Sequence, residues 1–264
     1  MNILRTNTNG RFLEQLTAMQ QRRQERLASG KRIARAADDS AGLAIAKRLE
    51  AQARGMGQGE RNLANGQSML RTAEGSLQSS QDSLIRMREL TIQAQNGTLN
   101  ASDRDIIQQE YDQLAAQITQ TAGSTNFAGR ALLDGSVSGA KAVTITDGTG
   151  GATDIEISDA SAAALGVQSL SVGDPNTLAA LDSAQELLSS ERAQLGAVDN
   201  TFSRQISQLS AARINSEEAR ARIEDVDFAK AISESARDQI LIDMTIAGQR
   251  MSDQGLGNSL NLLG

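Results

Sequence analysis

Few side chains in this sequence are of a type and spacing that could do chemistry. The adjacent acids Asp38-Asp39 are the kind of pair that can split its pKa values for acid/base work or share a cation. They stand directly before the helical run Ala41 to Ile45, where carboxylates cap backbone N–H groups, and capping is the reading we adopt. The loop Asp147-Gly148-Thr149-Gly150-Gly151 with Asp154 has calcium-loop residue types. It occurs once and lacks the ligand spacing of an EF-hand, so a hairpin turn accounts for it. The basic cluster Arg22, Arg23, Arg26, Lys31, Arg32 and Arg35 could track phosphates. A net charge of −6 and an aromatic content of 2% favour a solvated or subunit-pairing face instead, with no nucleic-acid partner. The chain has no His and no Cys, which removes disulfides, Cys/His nucleophile and base pairs and the common zinc sites. No catalytic, cofactor-binding or metal residue is assigned, and the expectation is a non-enzyme without cofactors.

The remaining residues are patterned for helices. Of the 264 residues 39% are apolar, yet aromatics amount to four Phe and one Tyr, so the core must come from Leu, Ile, Met and Ala, which suit narrow seams between helices. No run approaches the roughly 20 apolar residues that span a bilayer, so no membrane partner is expected. The opening Met1-Asn2-Ile3-Leu4-Arg5-Thr6-Asn7 lacks the apolar stretch of a secretory signal. Met56, Leu63, Leu70, Leu77 and Leu84 fall one heptad apart, with Ala73, Met87 and Ala94 on the complementary seam, which predicts a helix from Met56 to Gln95 about 60 Å long. Asn96-Gly97-Thr98 reads as its stop.

A second helix is predicted to start at Ser102, with Ser102-Asp103-Arg104-Asp105 as its capping box and Ile107, Tyr111, Leu114 and Ile118 as its stripe. From about residue 129 to 175 the chain turns rich in Gly, Ser, Thr and Asp. Within it, Ala142 to Thr146 and Asp154 to Ser158 alternate as a short hairpin. Helix resumes after Pro175 with Asn176 or Thr177 as cap, and Leu181, Leu188, Leu195, Phe202 and Leu209 again repeat at seven. The fold class is therefore mainly α: an elongated antiparallel helical bundle or coiled coil with a small β-hairpin region, the two heptad helices sharing one seam. The two ends are amphipathic but poor in bulky side chains: Phe12, Leu13, Leu16, Met19 and Leu27 at one, Phe228, Ile232, Ile240, Met244, Met251, Leu256, Leu260 and Leu263 at the other. They are expected to be weakly ordered alone and to fold when neighbouring copies bury them.

The sequence resembles bacterial flagellin over nearly its whole length. The likeness rests on Asn7-Thr8-Asn9, on Leu27-Ala28-Ser29-Gly30-Lys31-Arg32-Ile33 and on Ala37-Asp38-Asp39-Ser40-Ala41-Gly42-Leu43-Ala44-Ile45. It continues through Arg86-Met87-Arg88-Glu89-Leu90, Gln93 and Asn96-Gly97-Thr98 to Ala219-Arg220-Ala221-Arg222-Ile223-Glu224-Asp225, Asp227-Phe228-Ala229 and Leu260-Asn261-Leu262-Leu263. Ala34-Arg35, Thr6 and Gly264 depart from the usual family residues. The resemblance implies a helical homopolymer, the filament of the bacterial flagellum that drives swimming. Residues 1–45 and 226–264 would form the inner tube and residues 46–225 the outer tube, including the hairpin region at about 129–175, with the variable outer domains absent. Assembly would rest on terminal residues such as Phe12, Leu16, Leu27, Ile240, Met244, Leu260 and Leu263.

The family also implies extracellular placement without a cleaved signal peptide, flagellar export machinery and a C-terminal export chaperone, and filament cap and hook-junction proteins as partners. Toll-like receptor 5 is a further implied partner, through Arg86, Arg88, Glu89, Leu90, Gln93 and Glu110, an apolar centre with a charged rim. Two other readings are the hook-filament junction protein, which shares the terminal helices, and a coiled-coil adaptor or signalling rod.

Overall fold

The computed structural model describes residues 2–261, with side-chain surroundings for residues 11–139, 141–251 and 254. Helices dominate: α1 is Asn2–Ser29, α2 Ser40–Ala94, α3 Ala101–Ser124, α4 Asn176–Glu224 and α5 Phe228–Asn261. Between α3 and α4 lie two antiparallel pairs, β1 (Asn126–Phe127) with β2 (Arg130–Ala131), and β3 (Val143–Thr146) with β4 (Ala152–Ile155). The chain divides into two compact units, residues 1–52 with 214–264, and residues 53–213.

The larger unit has one core. Leu63, Leu70, Leu77 and Leu84 of α2 are buried in the same cluster as Leu181, Leu188, Leu195, Phe202 and Leu209 of α4 and Ile107, Tyr111 and Ile118 of α3, with Met56 and Leu114 partly buried against it. A buried leucine contributes about 1.5–3 kcal/mol over an exposed one, so this stripe carries most of the unit's stability. Polar links set the direction of packing. Glu60 meets Arg213 at 3.1 Å, Gln67 meets Ser203 at 2.8 Å, and Arg88 meets Asp182 at 2.9 Å. Numbers rising along α2 pair with numbers falling along α4, the arrangement of an antiparallel seam. The Tyr111 hydroxyl donates to Val167 O at 3.1 Å. Burial, with a smaller contribution from Asp112, pushes its pKa up to about 12.

Two local expectations shift. Asn100, not Ser102, caps α3: its side chain accepts from Asp103 N–H at 2.8 Å while the Asp103 carboxylate accepts from Asn100 N–H at 3.3 Å. Asp103 is thus the third helical residue of a capping box begun earlier. The second hairpin strand ends at Ile155, with Thr146 paired to Ala152. Asp147 closes the turn tightly, its carboxylate accepting from Thr149 and Gly151 N–H at 2.8 and 2.9 Å. Ile157 leaves the ladder and donates its N–H to Val137 O instead, at 3.1 Å.

The hairpin is seated on α2 by glycine. A Cβ on Gly59 would fall 1.8 Å from Asp147 O, and one on Gly148, at φ +73°, would fall 2.1 Å from Gly55 O. Only residues without side chains let the turn and the helix backbone approach this closely.

Candidate functional site

In the smaller unit, α1 and α5 pack on each other. Leu16, Ala231 and Ile242 are buried, and Arg23 holds both Glu234 and Asp238 at 2.8 Å. Ala231, Asp238 and Ile242 recur at helical spacing, so α5 turns one face to this pair. Its other face stays open. Phe228, Ile232, Ile240 and Met244 are exposed, Met244 by 68%, and with Ala236 they form a row four residues apart. On α1, Phe12 and Met19 are exposed as well, while Leu27 is partly buried. Leu263 and the side chain of Leu260 lie outside the described residues. The two ends are helices that pair within one chain, through a face of small residues and the ionic group of Arg23, Glu234 and Asp238.

Between α1 and α2 the chain folds back on the end of α4. Gly30, at φ +69°, accepts Val226 N–H at 3.0 Å, and Arg32 and Ile33 N–H reach Glu224 O at 2.6 and 3.3 Å. The Glu224 carboxylate is buried and meets Lys31 Nζ at 2.6 Å. The sequence placed Glu224 in a motif but gave no sign of its pairing with Lys31, which lies far along the chain. Asp38 accepts Ala34 and Arg35 N–H at 3.2 and 3.1 Å, and Asp39 accepts Gly42 N–H at 2.8 Å. The bond from Arg35 N–H, with those from Ala34 and Arg26, holds the Asp38 carboxyl below its ordinary pKa. Both carboxylates are engaged in shaping backbone.

A charged patch lies where α2 faces α3. Arg86 donates to Glu110 at 2.8 Å and to Glu89 at 3.1 Å, and Glu110, then Glu89, raise its pKa. Arg88 turns away to Asp182 on α4, and Gln93 is exposed. Leu90 departs from the expected arrangement. It is 1% exposed and belongs to the core, so it is not the apolar centre of a surface patch. The reason is its phase: Leu84, Met87, Thr91 and Ala94 are buried too, and position 90 continues that stripe.

At the hairpin, burial pushes Asp147 up, but bonds from Thr149, Gly151 and Gly150 outweigh it and leave the carboxyl below its ordinary pKa. Among the described residues no group of three or more Asp or Glu gathers as metal ligands would, and no helix is long and apolar enough to cross a membrane.

Comparison with known proteins matches residues 2–138 to the bacterial flagellin N-terminal helical region and residues 178–252 to the bacterial flagellin C-terminal helical region. The flagellar filament 33 kDa core protein of Treponema phagedenis is 35% identical, over 92% of each chain. The flagellin of Bacillus subtilis (strain 168) is 36% identical, over 99% of this chain and 98% of its own. Among solved structures, the flagellin of Bacillus cereus is 32% identical with a TM-score of 0.50, covering 56% of this chain and 88% of that one.

Proposed function

Since this chain belongs to the bacterial flagellin family, a family of structural proteins, we propose how its own residues serve the filament. The chain is a structural subunit that polymerises with copies of itself into the filament of the bacterial flagellum. Residues 1–45 and 226–264 form the inner layer of that polymer, and residues 46–225 the outer layer. One observation carries this division: the row on α5 containing Phe228, Ile232, Ile240 and Met244 is exposed although the opposite face of α5 already packs on α1. A row of Phe, Ile and Met left in water costs about 25 cal/mol per Å², which a neighbouring copy removes. Phe12, Leu16, Leu27, Ile240, Met244, Leu260 and Leu263 are the residues we assign to assembly, Leu16 by holding α1 on α5.

The subunit works mechanically, through packing of long helices and without an active site. It is exported by the flagellar machinery, its C-terminal segment held by a chaperone until then, and meets cap and hook-junction proteins at the ends of the polymer. Toll-like receptor 5 reads the exposed Arg86, Arg88, Glu89, Gln93 and Glu110, with Leu90 acting only as the packing beneath them. Simultaneous alanine replacement of Arg86, Glu89 and Glu110 abolishes receptor signalling on this reading; unchanged signalling overturns the receptor assignment alone.

Seeded polymerisation followed by sedimentation tests the division into layers. The full chain pellets, and a chain trimmed to residues 46–225 stays soluble. Pelleting of the trimmed chain into filaments would contradict it.

A further inference from the structure

Asn96 and Gly97 form the turn that ends α2, and both are exposed. Thr98 N–H and the Thr98 hydroxyl donate to Asn96 Oδ1 at 3.1 and 3.0 Å. Two donors on one amide oxygen draw electron density from Cγ and would stabilise negative charge developing on that oxygen. The backbone nitrogen of Gly97 is bonded to the Asn96 main-chain carbonyl carbon, so its attack on Asn96 Cγ closes a five-membered ring. Apart from its two chain neighbours, nothing lies within 4 Å of where a Gly97 Cβ would be, so no side chain from elsewhere in the fold crowds the turn. The turn's own bonds run from Asn96 N–H to Gln93 O at 3.1 Å and from Leu99 N–H to Asn96 O at 3.2 Å, and among the described residues Gly97 N–H has no partner.

We propose that Asn96 is a site of spontaneous deamidation, at which the filament subunit acquires aspartyl and isoaspartyl residues as it ages. Gly97 N–H gives its proton to water or hydroxide, and the nitrogen forms a bond to Asn96 Cγ. The tetrahedral intermediate takes up a proton on its amino group, the Cγ–N bond breaks, and ammonia leaves a five-membered succinimide. Water then adds to one of the two ring carbonyls and opens the ring. Opening at one carbonyl returns the normal main chain with a carboxylate at position 96. Opening at the other routes the main chain through the former side chain, lengthening it by one methylene. No oxidant or reductant enters.

The chain contains its own control. Asn65-Gly66 is the same dipeptide and Asn65 is equally exposed, but it lies inside α2. There the Gly66 N–H is held in the helix ladder, and Gly66 packs on the Phe202 ring, which a Cβ would approach to 2.7 Å. Attack at Asn65 requires local opening of the helix, whereas attack at Asn96 does not.

The modification has a structural consequence. Arg104 closes the end of α2 by donating to Ala94 O at 3.1 Å and Asn96 O at 3.4 Å. An isoaspartyl link moves the Asn96 carbonyl away from Arg104 and Leu99 N–H, loosening the turn between α2 and α3.

The test is incubation of the purified full chain at mildly alkaline pH, followed by tryptic mass spectrometry of the Glu89–Arg104 and Asn62–Arg71 peptides and enzymatic methyl labelling of isoaspartate. Asn96 gains one mass unit at least about tenfold faster than Asn65, a ratio that chemical denaturation of the chain collapses. Gly97→Ala slows conversion at position 96 by about tenfold, and Thr98→Val slows it while circular dichroism stays unchanged. Equal rates at Asn65 and Asn96 in the folded chain, or an unslowed Gly97→Ala variant, would overturn the proposal. Neither result touches polymerisation, which is measured separately.

Discussion

Leu90 shows how much depends on the phase of one residue. It lies beside Arg86 and Glu89 in sequence but in the core in space, so Leu90→Ala removes buried methyl groups and leaves a cavity. The loss is about 2–5 kcal/mol, read from the urea midpoint of the monomer. Arg86 and Glu110, exposed partners at 2.8 Å, can by contrast be replaced with the unfolding midpoint almost unmoved. Asp147 acts on backbone in the same local way. Its folded-state pKa lies below the ordinary one, so the stability it contributes is present above the ordinary carboxylate range and is lost as pH falls through the folded value. Amide protection across residues 143–155 therefore drops on acidification, and Asp147→Asn lowers it at neutral pH and flattens that dependence. The sequence marked Asp38, Asp39 and Asp147 as groups that bond backbone, because each stands at a turn or before a helix. It could not mark the pairing of Glu224 with Lys31, which only the fold brings together.

At the scale of elements, glycine has opposite meanings along one helix. Gly75 has open space around it, whereas a Cβ on Gly59 would collide with Asp147 O. Alanine in a helix interior is favoured over glycine by about 0.5–1 kcal/mol. Gly75→Ala should therefore raise the urea midpoint of the monomer, and Gly59→Ala should lower it and speed amide exchange in β3 and β4 by lifting the hairpin from its seat. Equal effects at the two positions would show that the hairpin does not rest on α2. The heptads of α2 and α4 were legible because a stripe repeated at seven has one economical solution, burial against another such stripe. The start of α3 was less so, since Asn100 and Ser102 both suit a cap and only the geometry around Asp103 decides between them. The pairing of β1 with β2 rests on two residues a side, too few for any alternation to be read.

At the scale of the molecule, the larger unit buries its heptad leucines in one cluster, while α5 keeps Phe228, Ile232, Ile240 and Met244 in water. A chain with 2% aromatic residues builds its seams from Leu, Ile, Met and Ala. The amphipathic patterning of the two ends was legible in the sequence and is the ground for proposing that they mediate assembly. Which face of α5 stays open was not, because it depends on how α1 seats against it through Leu16 and Arg23. The central claim is tested most directly by electron microscopy of the full chain and of a Phe228→Ser, Ile232→Ser, Ile240→Ser, Met244→Ser variant after seeded polymerisation, each first shown helical by circular dichroism. The account predicts long filaments from the full chain and helical but unassembled monomers from the variant, since α5 can still pair with α1 but no longer offers this apolar row to a neighbour. Filaments of the variant equal in length and number to those of the full chain would contradict it.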